Sequence, residues 1–175
     1  APGSNVAIVG SGPIGLAALL TAQFFSPAQL IVIDLDDNRL AVARKFDATA
    51  TINSGDGKAA EAVMKLTGGR GADTAIEAVG IPATFELCET LIAPGGTIAN
   101  IGVHGKKVEL HLERLWDRNI TITTRLVDTA STPMLLDVLR SHRIDPTLLI
   151  THRFAFERIL DAYDTFARAA ETKSL

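Results

Sequence analysis

The sequence predicts an α/β fold of Rossmann type, a doubly wound parallel sheet in a three-layer αβα arrangement. Three observations carry this. Five short apolar segments alternate with segments of helical periodicity. The strand-like segments are near-continuous runs of apolar and β-branched residues, as strands covered on both faces require. The first of them runs into a glycine-rich turn that opens a helix.

The elements follow in order. Asn5 to Val9 reads as a buried strand closed by Gly10. From Pro13 to about Phe25, apolar residues recur at three- and four-residue spacing, which predicts a helix ended by Ser26-Pro27. Leu30 to Leu35 is a strand, Asn38 to Phe46 a helix, Ala50 to Ile52 a short strand, and Ala59 to Leu66 a helix leading into Gly68-Gly69-Arg70-Gly71. Asp73 to Glu77 is the fourth strand. Ala83 to Leu91 is a helix stopped by Pro94-Gly95-Gly96, and Thr97 to Ile101 is the fifth strand. Lys106 to Leu112 is expected to be extended and Ile120 to Leu126 to be the sixth strand. Pro133 to Ser141 and Phe156 to Ala169 are expected to be helical.

The 175 residues are 47% hydrophobic and 21% charged, which suits one domain spanning 1–175 and excludes a disordered chain. The net charge is −3, and no Lys or Arg cluster interleaves with aromatics, so nucleic acid is not an expected partner. No stretch approaches the ~20 apolar residues that span a bilayer, and no basic-then-apolar leader opens the chain, so no membrane partner is expected. Cys88 is the single cysteine; it forms no internal disulfide, and a reducing cytoplasm is the expected setting. The start at Ala1-Pro2-Gly3 without methionine and the stop at Leu175 just after a helical pattern suggest that both ends are cut.

Gly10-Ser11-Gly12-Pro13-Ile14-Gly15 is a G-x-G-x-x-G run between a strand and a helix. In that setting Gly10 makes the tight turn, Gly12 lets the backbone approach a pyrophosphate, and Gly15 lets the helix lie close to the sheet. The phosphate would sit at a helix N-terminus; Pro13 has no NH, so the donors are the backbone NH groups of Ile14 and Gly15. Asp34 follows Gly10 by 24 residues, the place of a carboxylate that accepts from adenosine ribose hydroxyls. With Asp36 and Asp37 beside it, this favours NAD over NADP. Arg39 either reaches a ribose hydroxyl or is a solvated residue of the first helical turn. The competing readings are a glycine turn that binds nothing and a Rossmann-like methyltransferase.

These residues resemble the cofactor-binding domain of the medium-chain, zinc-dependent alcohol dehydrogenases. The resemblance rests on Val9 to Leu16, Ile33-Asp34, Gly68 to Asp73, Glu77-Ala78-Val79-Gly80, Leu91 to Thr97, Ile150 to Phe154 and Ala162-Tyr163, and it covers nearly the whole chain. It implies that Gly10, Gly12, Pro13, Ile14 and Gly15 line the pyrophosphate and nicotinamide side, with Ile14 behind the nicotinamide ring, and that Asp34 holds the ribose. Leu35 and Val79 would wall the adenine slot, while Ala78 and Gly80 border the ribose. Ile101, Gly102 and Val103 would meet the nicotinamide end, and Arg125 and Val127 would occupy the matching place after the sixth strand.

The resemblance also implies a zinc-bearing catalytic domain and a last strand, neither of which is found in this sequence. No catalytic or metal-ligating residue is therefore expected here. Cys88 is expected to be a small buried residue, and His104 is either a loop histidine or a neighbour of the nicotinamide pocket. The implied activity of the intact protein is hydride transfer between an alcohol or aldehyde substrate and NAD, in a homo-oligomer; this chain alone is expected to bind NAD without turnover. The alternatives are a zinc-free reductase of the quinone reductase type and a nucleotide-binding module without chemistry.

Overall fold

Strands β1 (Asn5–Val9), β2 (Gln29–Asp34), β3 (Ala50–Asn53), β4 (Ala72–Glu77), β5 (Ile92–Asn100) and β6 (Thr121–Thr124) form one sheet in the order β3-β2-β1-β4-β5-β6. Every pairing is parallel. The order reverses direction beside β1, so the chain crosses over both faces and leaves a crevice at the strands' C-terminal ends. The computed structural model describes residues 1–127 and 129–172. The chain divides into two compact units, Ala1–Val127 and Asp128–Leu175.

In the first unit the helices are α1 (Pro13–Ala22), α2 (Asp37–Lys45), α3 (Ala59–Leu66), α4 (Pro82–Leu91) and the single turn α5 (Leu112–Leu115). Side chains alternate along each strand. Ala7, Val9, Ile31, Ile33, Ala75 and Ile98 lie on one face with Ala59 and Val63 of α3 and Phe85, Cys88 and Leu91 of α4. The intervening residues Ile8 and Val32 are equally buried, and α1 and α2 contribute Leu16, Leu19 and Leu40 to the buried set. Burial on both faces explains why β1 and β2 read as continuous apolar runs.

The fifth strand departs from expectation. It begins at Ile92, upstream of Thr97, and the Pro94-Gly95-Gly96 segment lies inside it. Ala72 pairs with Ile92 and Thr74 with Thr97, so the extra residues are accommodated as an irregularity in the β4–β5 register. That irregularity is anchored from afar: the Gly95 NH donates to the Arg118 carbonyl at 2.8 Å, and the Arg118 guanidinium donates to the Ile92 carbonyl. The stretch from Lys106 to His111 forms no strand, and α5 opens at Leu112.

The second unit contains α6 (Thr132–Arg140), α7 (Ile159–Ala167) and the single turn α8 (Ala169–Thr172). The helix expected over Phe156–Ala169 is thus divided, with a 3₁₀ turn at Phe156–Arg158 and a break at Arg168. None of the unit's described side chains is buried, and Phe156, Leu160 and Tyr163 are exposed. Among the described residues no helix is long and apolar enough to cross a membrane.

The turn between β1 and α1 is the tightest joint of the sheet. A β-carbon on Gly15 would overlap the carbonyl oxygen of Gly10, whereas one on Gly12 would meet no atom within 4 Å. Gly15→Ala is expected to cost about 3 kcal/mol of stability, and Gly12→Ala, with ordinary φ of −76°, at most about 1 kcal/mol. Urea unfolding of the two variants checks the contrast.

Glu89 of α4 is buried, and one of its oxygens accepts from the His111 NH at 3.2 Å. Burial raises its pKa; the His111 hydrogen bond and charge, with Arg114, work against the shift, and Glu86 adds to it. A carboxyl whose pKa is raised on folding favours the protonated protein, so its contribution to stability falls as pH rises past the ordinary carboxylate range. Glu89→Gln carries no charge at any pH. The melting temperature of this variant relative to the parent is expected to rise between about pH 4 and pH 7; a constant difference in thermal melts would contradict it.

Candidate functional site

A cavity of about 550 Å³ opens at the C-terminal ends of β1, β2 and β4. Gly10, Asp34, Leu35, Arg39 and Val79 all line it, so one cavity brings together residues from three strand ends. Leu35 and Val79 leave 71% and 45% of their surface exposed, an unusual state for large apolar side chains at the end of a buried sheet. Ser54, Ile81 and Thr84 are also part of the wall. Sequence reasoning missed those three, because they arrive from β3 and α4 through the strand order and carry no motif of their own.

Asp34 ends β2 and is held from both sides. One carboxylate oxygen accepts from the Ser11 NH at 2.6 Å and the other from the Asp36 NH at 2.9 Å. Ser11 is fully buried and donates its hydroxyl to the Arg39 carbonyl at 3.1 Å, tying the glycine turn to the start of α2. Asp36 caps α2, accepting from the Asn38 NH at 2.7 Å and the Arg39 NH at 3.4 Å. Two carboxylates thus face the cavity with one guanidinium, that of Arg39, which makes no ion pair among the described residues.

At the start of α1, Gly12 is the N-cap and supplies no side chain to the first turn, and Pro13 follows it. The NH groups of Ile14 and Gly15 are therefore unclaimed by a side-chain cap, and they stand at the positive end of the helix dipole. Ile14 is 57% exposed. The open space at Gly12 and the absence of a capping side chain fit an anionic group of a ligand.

Ala78 and Gly80 follow β4, with the Ala78 NH donating to the Val9 carbonyl at 2.9 Å. Gly102 and Val103 follow β5, and both the Ile101 and Gly102 NH groups donate to the Glu77 carbonyl, at 2.9 and 3.0 Å. Ile101 lines a separate groove of about 320 Å³ with Val6, Thr74, Ile76 and Ala99. Arg125 and Val127 follow β6 at the sheet edge; both are exposed and neither lines the main cavity. His104 is mostly buried, its Nε2 2.8 Å from the Asn100 side-chain oxygen and 3.2 Å from Glu77.

Cys88 is fully buried in α4; burial, reinforced by Glu77 and Glu89, pushes its thiol pKa up, so it is no nucleophile at neutral pH. Among the described residues no group of three or more His, Cys, Asp or Glu side chains is arranged to hold a metal ion. The donor set of a zinc centre is not met by these residues.

Comparison with known proteins agrees with this architecture. Residues 13–141 match the family model described as zinc-binding dehydrogenase. An alcohol dehydrogenase of Cupriavidus necator is 37% identical over 169 residues, which are 94% of this chain and 46% of that protein. The apo form of zinc dependent alcohol dehydrogenase 2 from Streptococcus pneumonia is 57% identical with a TM-score of 0.96, over 99% of this chain and 50% of that one. A protein from E. coli CFT073 described as a short chain alcohol dehydrogenase complexed with NADH has a TM-score of 0.88 at 26% identity, over 94% of this chain and 49% of that one. A protein from Sinorhizobium meliloti 1021 bound to NADP has a TM-score of 0.86 at 25% identity, over 92% and 48%. The chain spans about half the length of these relatives. With the family model matched over residues 13–141 and a relative 37% identical over 94% of the chain, the chain belongs to the zinc-binding dehydrogenase family.

Proposed function

We propose that this chain binds a nicotinamide dinucleotide across the ends of β2, β1 and β4, that it prefers NAD to NADP, and that it serves hydride transfer between an alcohol or aldehyde and that cofactor in the intact protein. The observation that carries this reading is the placement of Asp34: a carboxylate fixed by the Ser11 and Asp36 NH groups at the rim of an apolar cavity, beside a helix N-terminus without a capping side chain. Each oxygen of Asp34 accepts one backbone hydrogen bond and keeps acceptor capacity for ribose hydroxyls. The NH groups of Ile14 and Gly15 receive the pyrophosphate. Leu35 and Val79 hold adenine between them, and Ile14, with Val103 beyond Gly102, presents apolar surface to the nicotinamide ring.

NAD, when bound, accepts or delivers the hydride; the chain's own residues position it and shield it. Discrimination follows from charge. A phosphate on the adenosine ribose would bring like charge toward Asp34 and Asp36, a contact worth a few kcal/mol at about 4 Å in an effective dielectric of ~20 and less where solvent screens it. Arg39 alone opposes the two carboxylates. Zinc has no fitting donor set among the described residues, so no step is assigned to it. A homo-oligomer paired through β6 belongs to the same reading, supported by the exposed edge position of Thr121–Thr124. So does a cytoplasmic setting, supported by the unpaired buried Cys88.

Calorimetric titration of the chain with NADH and NADPH tests the proposal. NADH is expected to bind at least about ten-fold more tightly than NADPH. Asp34→Ala is expected to weaken NADH by about 1.5–3 kcal/mol, the worth of hydrogen bonds to a charged group, and to narrow the preference. Equal affinity for both nucleotides contradicts the NAD preference, and no binding by folded protein contradicts the dinucleotide reading.

A further inference from the structure

Glu77 ends β4 and is fully buried, yet no Lys or Arg pairs with it among the described residues. Its carboxylate is instead divided between two loops. One oxygen accepts from the Val79 NH at 3.0 Å, the Gly80 NH at 2.9 Å and the Thr84 hydroxyl at 2.6 Å. The other lies 3.2 Å from His104 Nε2. The two loops touch across this oxygen: a β-carbon on Gly102 would overlap it and the Gly80 NH, and one on Gly80 would meet the Val103 nitrogen at 2.8 Å. No side chain separates them.

His104 is fastened in turn. The Asn100 amide donates to the Gly102 carbonyl at 3.1 Å, which fixes its oxygen toward His104 Nε2 at 2.8 Å. Facing two acceptors, Nε2 carries a hydrogen. Phe85, buried in α4, meets the ring edge-on at a centroid separation of 6.2 Å. A buried carboxylate is costly unless its oxygens find donors; here Oε1 has three, whereas Oε2 has no hydrogen-bond partner among the described residues and only the His104 ring beside it. Neither Glu77 nor His104 lines that cavity.

We propose that Glu77 and His104 are positioning residues for the nicotinamide half of the dinucleotide: the His104 ring, fastened through Asn100, packs 3.2 Å from the otherwise unpartnered Glu77 oxygen and, with the Glu77 carbonyl that accepts from the Ile101 and Gly102 NH groups, holds the Ile101–Val103 loop in register against the Ala78–Gly80 loop. This rests on the dinucleotide reading given above. The adenine half is set by Asp34 and Leu35 on β2 and does not depend on His104.

The test compares His104→Leu with His104→Gln, whose amide can donate from the place of Nε2, using NADH and AMP as titrants and circular dichroism to establish folding. The chain is expected to bind both nucleotides. His104→Leu is expected to weaken NADH about ten-fold while AMP stays within two-fold, and His104→Gln to restore NADH to within about three-fold. Glu77→Gln sets an NH₂ against Nε2–H and is expected to behave like His104→Leu. Unchanged NADH affinity in folded His104→Leu overturns the proposal. So does an equal loss of NADH and AMP, which marks a merely structural role, or a failure of His104→Gln to rescue. Absence of NADH binding by the unmodified chain overturns the dinucleotide reading itself, and this proposal with it.

Discussion

No β-carbon fits between Gly15 and the carbonyl oxygen of Gly10, and the rest of the site follows from that contact. It forces α1 to start directly at the end of β1, so that the first turn of the helix points its NH groups over the sheet's C-terminal edge. It also leaves Gly12 at the N-cap in open space. A bulkier turn would move the helix away from the sheet and withdraw the Ser11 NH from Asp34, which lies 2.6 Å away.

The carboxylate of Asp34 then joins two turns that are distant in sequence. Ser11 and Asp36 reach it from opposite sides, and the Ser11 hydroxyl closes the arrangement onto the Arg39 carbonyl. The recognition surface is thereby made of rigid parts: backbone NH groups for an anion, a fixed acceptor for hydroxyls, and the exposed faces of Leu35 and Val79 for a flat apolar group. Glu77 performs the corresponding task at the neighbouring strand end, where its main-chain carbonyl and its carboxylate bind both adjoining loops. The acidic residues at these strand ends are thus organised chiefly by backbone donors, with no Lys or Arg ion pair to either among the described residues.

What was legible in the sequence was what local chemistry determines. The strands through Val9 and Asp34 could be read because burial on both faces leaves little but Val, Ile, Leu and Ala to choose from. The glycine turn could be read because close backbone approach admits no other residue at Gly15. Asp34 was legible from its spacing to the glycine turn, Leu35 and Val79 were only implied by the resemblance, and all three line one cavity because parallel strands collect their C-terminal ends. The start of β5 was hidden, because Pro94-Gly95-Gly96 has turn chemistry and only the distant Arg118 anchors it within the strand. Ser54 and Thr84 were hidden for a similar reason: their place in the wall depends on strand order and carries no local signature. The pairing of Glu77 with His104 spans two strands and was equally invisible, although an acid at the end of an apolar strand is a signal worth heeding.

The central claim, that a dinucleotide lies across the strand ends, is tested most directly by amide chemical-shift mapping of the ¹⁵N-labelled chain during titration with NADH. The account predicts the largest saturable changes at the NH groups of Ile14, Gly15, Leu35 and Val79, with the groove of Val6, Thr74 and Ala99 unaffected. Changes centred on that groove, or none at the glycine turn, would contradict it.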